Sequence, residues 1–287
     1  VDASKIVLGT VQFGLDYGIN NSSGKPNETN VFEILNQANR FGVNELDTAD
    51  GYGEATNVLR RYFQQTQNTF KIMTKFSLRD SLSFEEIFNQ SLARLGVSSI
   101  DGYYFHSFSD FLKFEEFGQV HSLKKSGKLK NLAVSLYSDD DLEIAAEHPE
   151  VDIIQLPFNI LDRGERKITL LKKAKSLNKK IYVRSVFLQG LFFISPSRLP
   201  PKLQSLEKVI FEIQQLAEQY RMNIEKICLN YVYHKNYIDK LVLGVDSSVQ
   251  LAANINSIQS SFSHELEQKL EQILVSDTSL LNPSNWK

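Results

Sequence analysis

Val43-Asn44-Glu45-Leu46-Asp47-Thr48-Ala49-Asp50-Gly51-Tyr52-Gly53 opens as a short apolar strand, stops on an acid and turns through a glycine-flanked tyrosine. Two later runs have the same form. Phe70-Lys71-Ile72-Met73-Thr74 closes on Lys75, and Gly102-Tyr103-Tyr104-Phe105 closes on His106. In parallel α/β folds, chemistry gathers at the carboxyl ends of strands. A single polar residue there is ambiguous, because facing solvent is explanation enough. Asp47, Tyr52, Lys75 and His106 are different: an acid, a phenol, an amine and an imidazole on three successive strands point to proton transfer.

Working outward, eight short β-branched runs recur along the chain. They are Ile6–Val11, Glu45–Ala49, Lys71–Phe76, Asp101–His106, Leu132–Tyr137, Asp152–Pro157, Ile181–Val186 and Leu241–Val245. Helical patterns lie between most of them: Glu28–Phe41, Ser83–Leu95 with Ser83 and Glu86 as a capping box, Phe114–Ser126 and Glu165–Leu177. Strand–helix alternation at this spacing means parallel βαβ units. Eight units predict a (β/α)8 TIM barrel filling residues 1–287 as one domain. The rival is a doubly wound open sheet. Extra helices are expected between strands seven and eight, at Leu203–Tyr220 and Ile224–Tyr233, and at the C-terminus, at His264–Leu274. The Pro-rich segment Ser195–Pro201 reads as a loop over the barrel mouth.

Composition narrows the function. The 287 residues are 42% apolar and 23% charged, with 32 basic and 34 acidic side chains and a net charge of −2. Such a balance points to no nucleic-acid partner and no acidic membrane. No apolar run reaches membrane-spanning length. The start, Val1-Asp2-Ala3-Ser4-Lys5, has no export-signal pattern, and Cys228 is the only cysteine, so a cytoplasmic location is expected. Cys228 reads as core packing. No cysteine pair or His-Glu-x-x-His run suggests a metal, and His121, His148, His234 and His264 read as surface or cap residues. Gly51-Tyr52-Gly53 resembles the start of a dinucleotide fingerprint, but Thr56 stands where the third glycine belongs.

The four polar residues suit one task. A phenol is a poor acid at neutral pH. A neighbouring ammonium such as Lys75 favours its phenolate and lowers its pKa, and Asp47 can keep that ammonium charged. His106 can donate to a carbonyl oxygen and hold it beside Tyr52. Together they protonate an oxygen as negative charge builds on it. That is half of a carbonyl reduction. The other half is a hydride, which no side chain supplies, so a nicotinamide cofactor is implied.

Leu46-Asp47-Thr48-Ala49-Asp50-Gly51-Tyr52-Gly53 resembles the signature of the aldo-keto reductase superfamily. Met73-Thr74-Lys75 and Tyr104-Phe105-His106 follow in the family's order. Leu8-Gly9-Thr10 matches at the first strand, and Ser126–Ser135 matches through the fifth. The resemblance runs from about Leu8 to Asn254. It implies a barrel that binds NAD(P)H without a Rossmann fold, with Tyr52 as acid/base.

The resemblance also implies a cofactor set, beginning with Gly9 and Thr10. Ser135 and Gln155 match the residues that hold the nicotinamide carboxamide, while Leu136 stands in place of the usual Asn. Arg184 replaces the aromatic that many members place under the nicotinamide. Phe187-Leu188-Gln189-Gly190-Leu191 matches the pyrophosphate loop. Gly244, Gln250 and Asn254 match the adenosine side, with Asp246 near the 2′ position and Asn57 replacing a frequent glutamate. Family habit leans to NADPH, but no Arg or Lys lies between Val245 and Asn254, which suits the free ribose hydroxyl of NADH. The expected partner is a small-molecule carbonyl substrate. Two rivals come from other classes. One is a lyase using Lys75 as a Schiff base. The other is a nucleotide-sensing partner protein with little turnover.

Overall fold

The computed structural model describes residues 2–21 and 24–286, so Val1 and Lys287, the ends of the expected domain, lie outside it. Strands β1 (Ile6–Gly9), β2 (Glu45–Asp47), β3 (Lys71–Phe76), β4 (Ile100–Phe105), β5 (Leu129–Ser135), β6 (Ile153–Pro157), β7 (Lys180–Arg184) and β8 (Lys240–Gly244) pair in parallel in chain order. β8 returns to β1, from Ile6 against Leu241 to Gly9 against Gly244, and closes the barrel. Closure removes the open-sheet alternative, and with it the dinucleotide-fingerprint reading of Gly51-Tyr52-Gly53.

Side chains on a strand alternate between faces. Here that alternation divides two cores. Leu46, Ile72, Tyr103, Leu132, Ile154 and Ile181 pack outward against the helices. Val7, Met73, Tyr104, Ala133, Ile153 and Tyr182 pack together inside the barrel, with Val242 against them. Two residues beyond each interior residue, the same parity brings Gly9, Lys75, His106, Ser135, Gln155, Arg184 and Gly244 to the carboxyl rim. On β2 the same step leads from Glu45 to Asp47.

The helices follow the sequence with instructive exceptions. Ser83 and Glu86 form the expected capping box on helix Phe84–Leu95, which ends at left-handed Gly96. The expected helix Phe114–Ser126 starts three residues later, at Phe117–Lys125, and a separate five-residue helix at Phe108–Leu112 precedes it. Phe114 turns inward onto Phe84 and Phe105, with ring centroids 5.2 and 5.0 Å away, and so leaves the helical path. Leu203–Tyr220 likewise divides into a 3-10 turn from Pro201 to Leu206 and a helix from Glu207 to Gln219. Helices Ala55–Gln65, Asp139–Glu147 and Ser248–Asn256 complete the βα units. The last two have nine residues each, too few for a strong apolar repeat. Cys228 is buried. Among the described residues no helix is long and apolar enough to cross a membrane.

Candidate active site

Asp47 closes β2, and backbone bonds fix it there: its carbonyl accepts from Thr10 N at 2.9 Å and from Thr10 Oγ1 at 3.0 Å. Its carboxylate pairs with Lys75, and the two side chains are only 5% and 2% exposed. Lys75 Nζ also lies 5.3 Å from the Tyr52 ring centroid. The Tyr52 and His106 rings meet edge to face at 6.2 Å. The four predicted residues therefore converge, with Asp47 and Lys75 buried, Tyr52 partly buried and His106 exposed on the rim.

Tyr52 is placed by backbone contact. Its N–H donates to Ala49 O at 3.1 Å, and its carbonyl accepts from Ala55 N at 3.0 Å. The turn lies so close to Gly14 that a Cβ there would collide with Tyr52 O and sit 2.7 Å from Ala55 N. Below the turn, the Asp50 carboxylate lies 3.5 Å from Arg94 and 3.9 Å from Arg79.

The protonation states follow from this burial. Burial pushes the Tyr52 phenol above the ordinary tyrosine value, and the Lys75 ammonium pulls the other way without reversing it. The net lowering expected from sequence is thus overturned by desolvation, although the ammonium acts with the expected sign. Burial also works against the Lys75 charge, but Asp47 and Tyr52 hold it above the ordinary lysine value. His106 is held below the ordinary histidine value by burial and by Lys75. At neutral pH the site has a protonated phenol, an ammonium and a neutral imidazole.

A cavity opens beside Tyr52 and Asp47. Of the expected cofactor residues, Gly9, Thr10, Arg184, Phe187, Gln189, Gly190, Gly244, Asp246 and Gln250 line it. Ser135, Gln155, Leu191 and Asn254 do not, and neither do Lys75 and His106. Gln155 stands behind Asp47 and donates from Nε2 to Asp47 Oδ2 at 2.7 Å. Leu191 is wholly buried in the core. Asn254 is also buried, and Asn57 bonds to Glu54 on the surface. The segment Ser195–Pro201 forms tight turns and does not line the cavity; Phe187, Gln189, Gly190 and Phe193 do.

Sequence reasoning missed part of the cavity wall. Gln12, Tyr17, Gly18 and Asn20 reach it from the long loop after β1. Ile19 N donates to Gln189 O at 3.1 Å, and Gln189 Nε2 donates to Tyr17 Oη at 3.0 Å. The only available signal was the length of that loop, which carries no helical repeat before Glu28.

The sequence profile of the Aldo/keto reductase family matches residues 5–275. The chain belongs to that family. Membership makes it an NAD(P)H-dependent oxidoreductase. An aldo-keto reductase of Strobilurus tenacellus is 30% identical over 185 residues, covering 59% of this chain and 55% of its own length. The NADH-specific methylglyoxal reductase of Escherichia coli is 24% identical over 273 residues, covering 80% of this chain and 83% of its own. The fold matches the glycerol dehydrogenase structure from Gluconobacter oxydans with a TM-score of 0.71 at 19% identity, over 94% of this chain and 90% of that one.

The polar groups present suit a family member's nicotinamide cofactor. With Nε2 committed to a carboxylate that only accepts, Gln155 leaves Oε1 buried without a partner. It is a buried free acceptor behind Asp47, outside the cavity lining. Gln12 Oε1 and Asp246 Oδ1 are likewise buried and unpartnered, and both residues line the cavity. The loop after β7 has positive φ at Ser185 (62°), Leu188 (46°), Gln189 (53°) and Gly190 (90°). Strain of this kind concentrates at functional sites, and turns that alternate helical hand form anion-binding concavities. A Cβ on Gly190 would meet Asn20 Cβ at 2.8 Å. Among the described residues no cluster of His, Cys, Asp or Glu suits a metal.

Proposed function

We propose that this chain reduces an aldehyde or ketone on a small molecule to the alcohol, with Tyr52 as general acid. The observation that carries the reading is a protonated, partly buried Tyr52 beside a Lys75–Asp47 pair, at the wall of a cavity with unpartnered acceptors. When bound, a reduced nicotinamide supplies a hydride to the carbonyl carbon. Tyr52 gives its phenolic proton to the carbonyl oxygen, and Lys75 stabilises the phenolate left behind until water reprotonates it. His106, neutral, donates its N–H to the same oxygen and orients it. Asp47 keeps Lys75 charged and anchors Gln155, which pairs across the strands with Ser135; these are the two positions that the family resemblance gives to the carboxamide.

Lys75 is better suited to this role than to a Schiff base, since a nucleophilic amine must be neutral and Lys75 is held above its ordinary value. For the cofactor, Asp246 supports NADH over the NADPH that family habit suggests. Its unpartnered Oδ1 in the cavity wall is an acceptor for a ribose hydroxyl and repels a phosphate. The names of the Escherichia coli and Gluconobacter oxydans proteins make small 2-oxoaldehydes and short polyols the first compounds to assay.

The test is Tyr52→Phe. Turnover should fall about 10²–10⁴-fold, the usual range for general acid catalysis, while the NADH dissociation constant stays close to wild type. Activity within a few-fold of wild type would remove Tyr52 from the reaction.

A further inference from the structure

We infer that Arg184 biases this site toward the reduced nicotinamide, and so toward carbonyl reduction over alcohol oxidation. The inference rests on the reading that a nicotinamide reacts beside Tyr52.

The charges around the cavity are few. Its charged lining side chains are Asp47, Arg184 and Asp246. Asp47 is already neutralised by Lys75. Asp246 follows β8, beside Gln250, whose Oε1 accepts from its N–H at 2.7 Å. Arg184 is therefore the one cation in the lining, and among the described residues no carboxylate pairs with it.

Its guanidinium is nonetheless held. The Tyr137 ring centroid lies 4.2 Å from its central carbon, and one N–H donates to Leu136 O at 3.3 Å. Both partners are neutral. They fix the position of the charge without cancelling it, as a cation over an aromatic face allows. The charge also reaches the acid–base groups, for it favours the Tyr52 phenolate and the neutral His106.

Geometry ties this charge to the cofactor. Tyr52 and the hydride must reach the same carbonyl group, from the oxygen and the carbon respectively. The nicotinamide ring must then lie in the space that Tyr52 faces, and Arg184 lines that space. The reduced ring is neutral. Loss of a hydride, two electrons with one proton, leaves the ring with a charge of +1. A fixed guanidinium repels the oxidised ring and leaves the neutral ring unaffected. It therefore raises the dissociation constant of the oxidised form relative to the reduced form, by about tenfold for two charges several ångströms apart in a partly screened site.

Calorimetric titration without substrate tests this, with NAD+, NADH and ADP-ribose as ligands. In Arg184→Gln, the ratio of the NAD+ to the NADH dissociation constant should fall about tenfold, mainly through tighter NAD+. Arg184→Lys keeps a positive charge and should keep most of the wild-type ratio. ADP-ribose, which lacks the nicotinamide, should bind all variants alike and so reports an intact fold. Arg184→Tyr is a second neutral variant should the Gln protein lose ADP-ribose binding. A ratio within twofold of wild type in a neutral variant that still binds ADP-ribose overturns the role of Arg184 and leaves the reductase reading standing. If wild type binds none of NAD+, NADH, NADP+ and NADPH, the reductase reading falls and this inference falls with it; if it binds only the phosphorylated pair, the same ratio is read with NADP+ and NADPH.

Discussion

Strand β2 carries two buried carboxylates, two residues apart and on the same side of the strand, and they have opposite surroundings. Glu45, at the floor of the barrel, lies 2.8 Å from Lys240 Nζ and 3.7 Å from Lys71 Nζ, and it accepts from Tyr182 Oη at 2.8 Å. Each of these groups has found its partner. Asp47, at the rim, pairs with Lys75 and Gln155, but Gln155 Oε1 behind it and Gln12 Oε1 beside the cavity are left buried without one. A buried polar atom without a partner costs about 1–3 kcal/mol. Tyr104 Oη in the barrel interior is also unpartnered, so what sets the rim apart is that its unpartnered acceptors, Gln12 Oε1 and Asp246 Oδ1, belong to residues lining a cavity.

That contrast can be broken most sharply at Lys75. Lys75→Met should lower turnover by about 10²–10⁴-fold, the range for lost acid–base assistance. The ammonium is the group that pulls the Tyr52 phenol down. Its loss should move the phenol's titration to higher pH, so that the rise of alcohol oxidation with pH appears later. An unshifted pH profile in the residual activity would mean that Lys75 does not tune the phenol.

Gly14→Ala should come next. Its Cβ has no room against the Tyr52 turn, and that turn must shift. Displacement of a catalytic group by an ångström costs on the order of 10²-fold, so kcat should drop by about 10–100-fold while NADH affinity changes little. Wild-type kcat would show that the turn adapts without moving the phenol.

Glu45→Leu sharpens the other side. It leaves Lys240 without its carboxylate and Tyr182 without its acceptor. Urea unfolding should report a loss of about 1–3 kcal/mol, below the figure for a fully buried pair because Lys240 keeps some access to water. The kcat/KM of the folded protein should stay within a few-fold of wild type. A fall in kcat/KM as large as that of Lys75→Met would erase the distinction between floor and rim.

The smallest effect is expected at Asp246. Burial already pushes this carboxyl up, so its charge costs something to maintain. Asp246→Ser removes the repulsion of a 2′-phosphate and should shift the NADPH/NADH ratio of kcat/KM by about tenfold toward NADPH. An unmoved ratio would place the ribose away from this residue.

Much of the site was legible because strand parity is a local property. Once β3 and β4 are recognised, Met73 and Tyr104 mark the interior, and Lys75 and His106 must follow on the same face. The same count brings Gln155 and Arg184 to the rim. The helix breaks were less legible. Phe114 belongs to an apolar repeat, yet it leaves the helix for an aromatic cluster assembled from three separate segments.

The sequence by itself determined the βα alternation, the parity of each strand and the placing of Asp47, Lys75 and His106 at the ends of β2 to β4 with Tyr52 in the turn after β2. These depend on neighbours a few residues apart. Tertiary structure alone decided that Gly14 supports Tyr52, that Tyr137 holds Arg184 and that Gln155 keeps an acceptor free. It also decided that burial outweighs Lys75 at the Tyr52 phenol. Each of these is a balance between groups tens of residues apart, set by distance and desolvation, and neither quantity exists until the barrel closes.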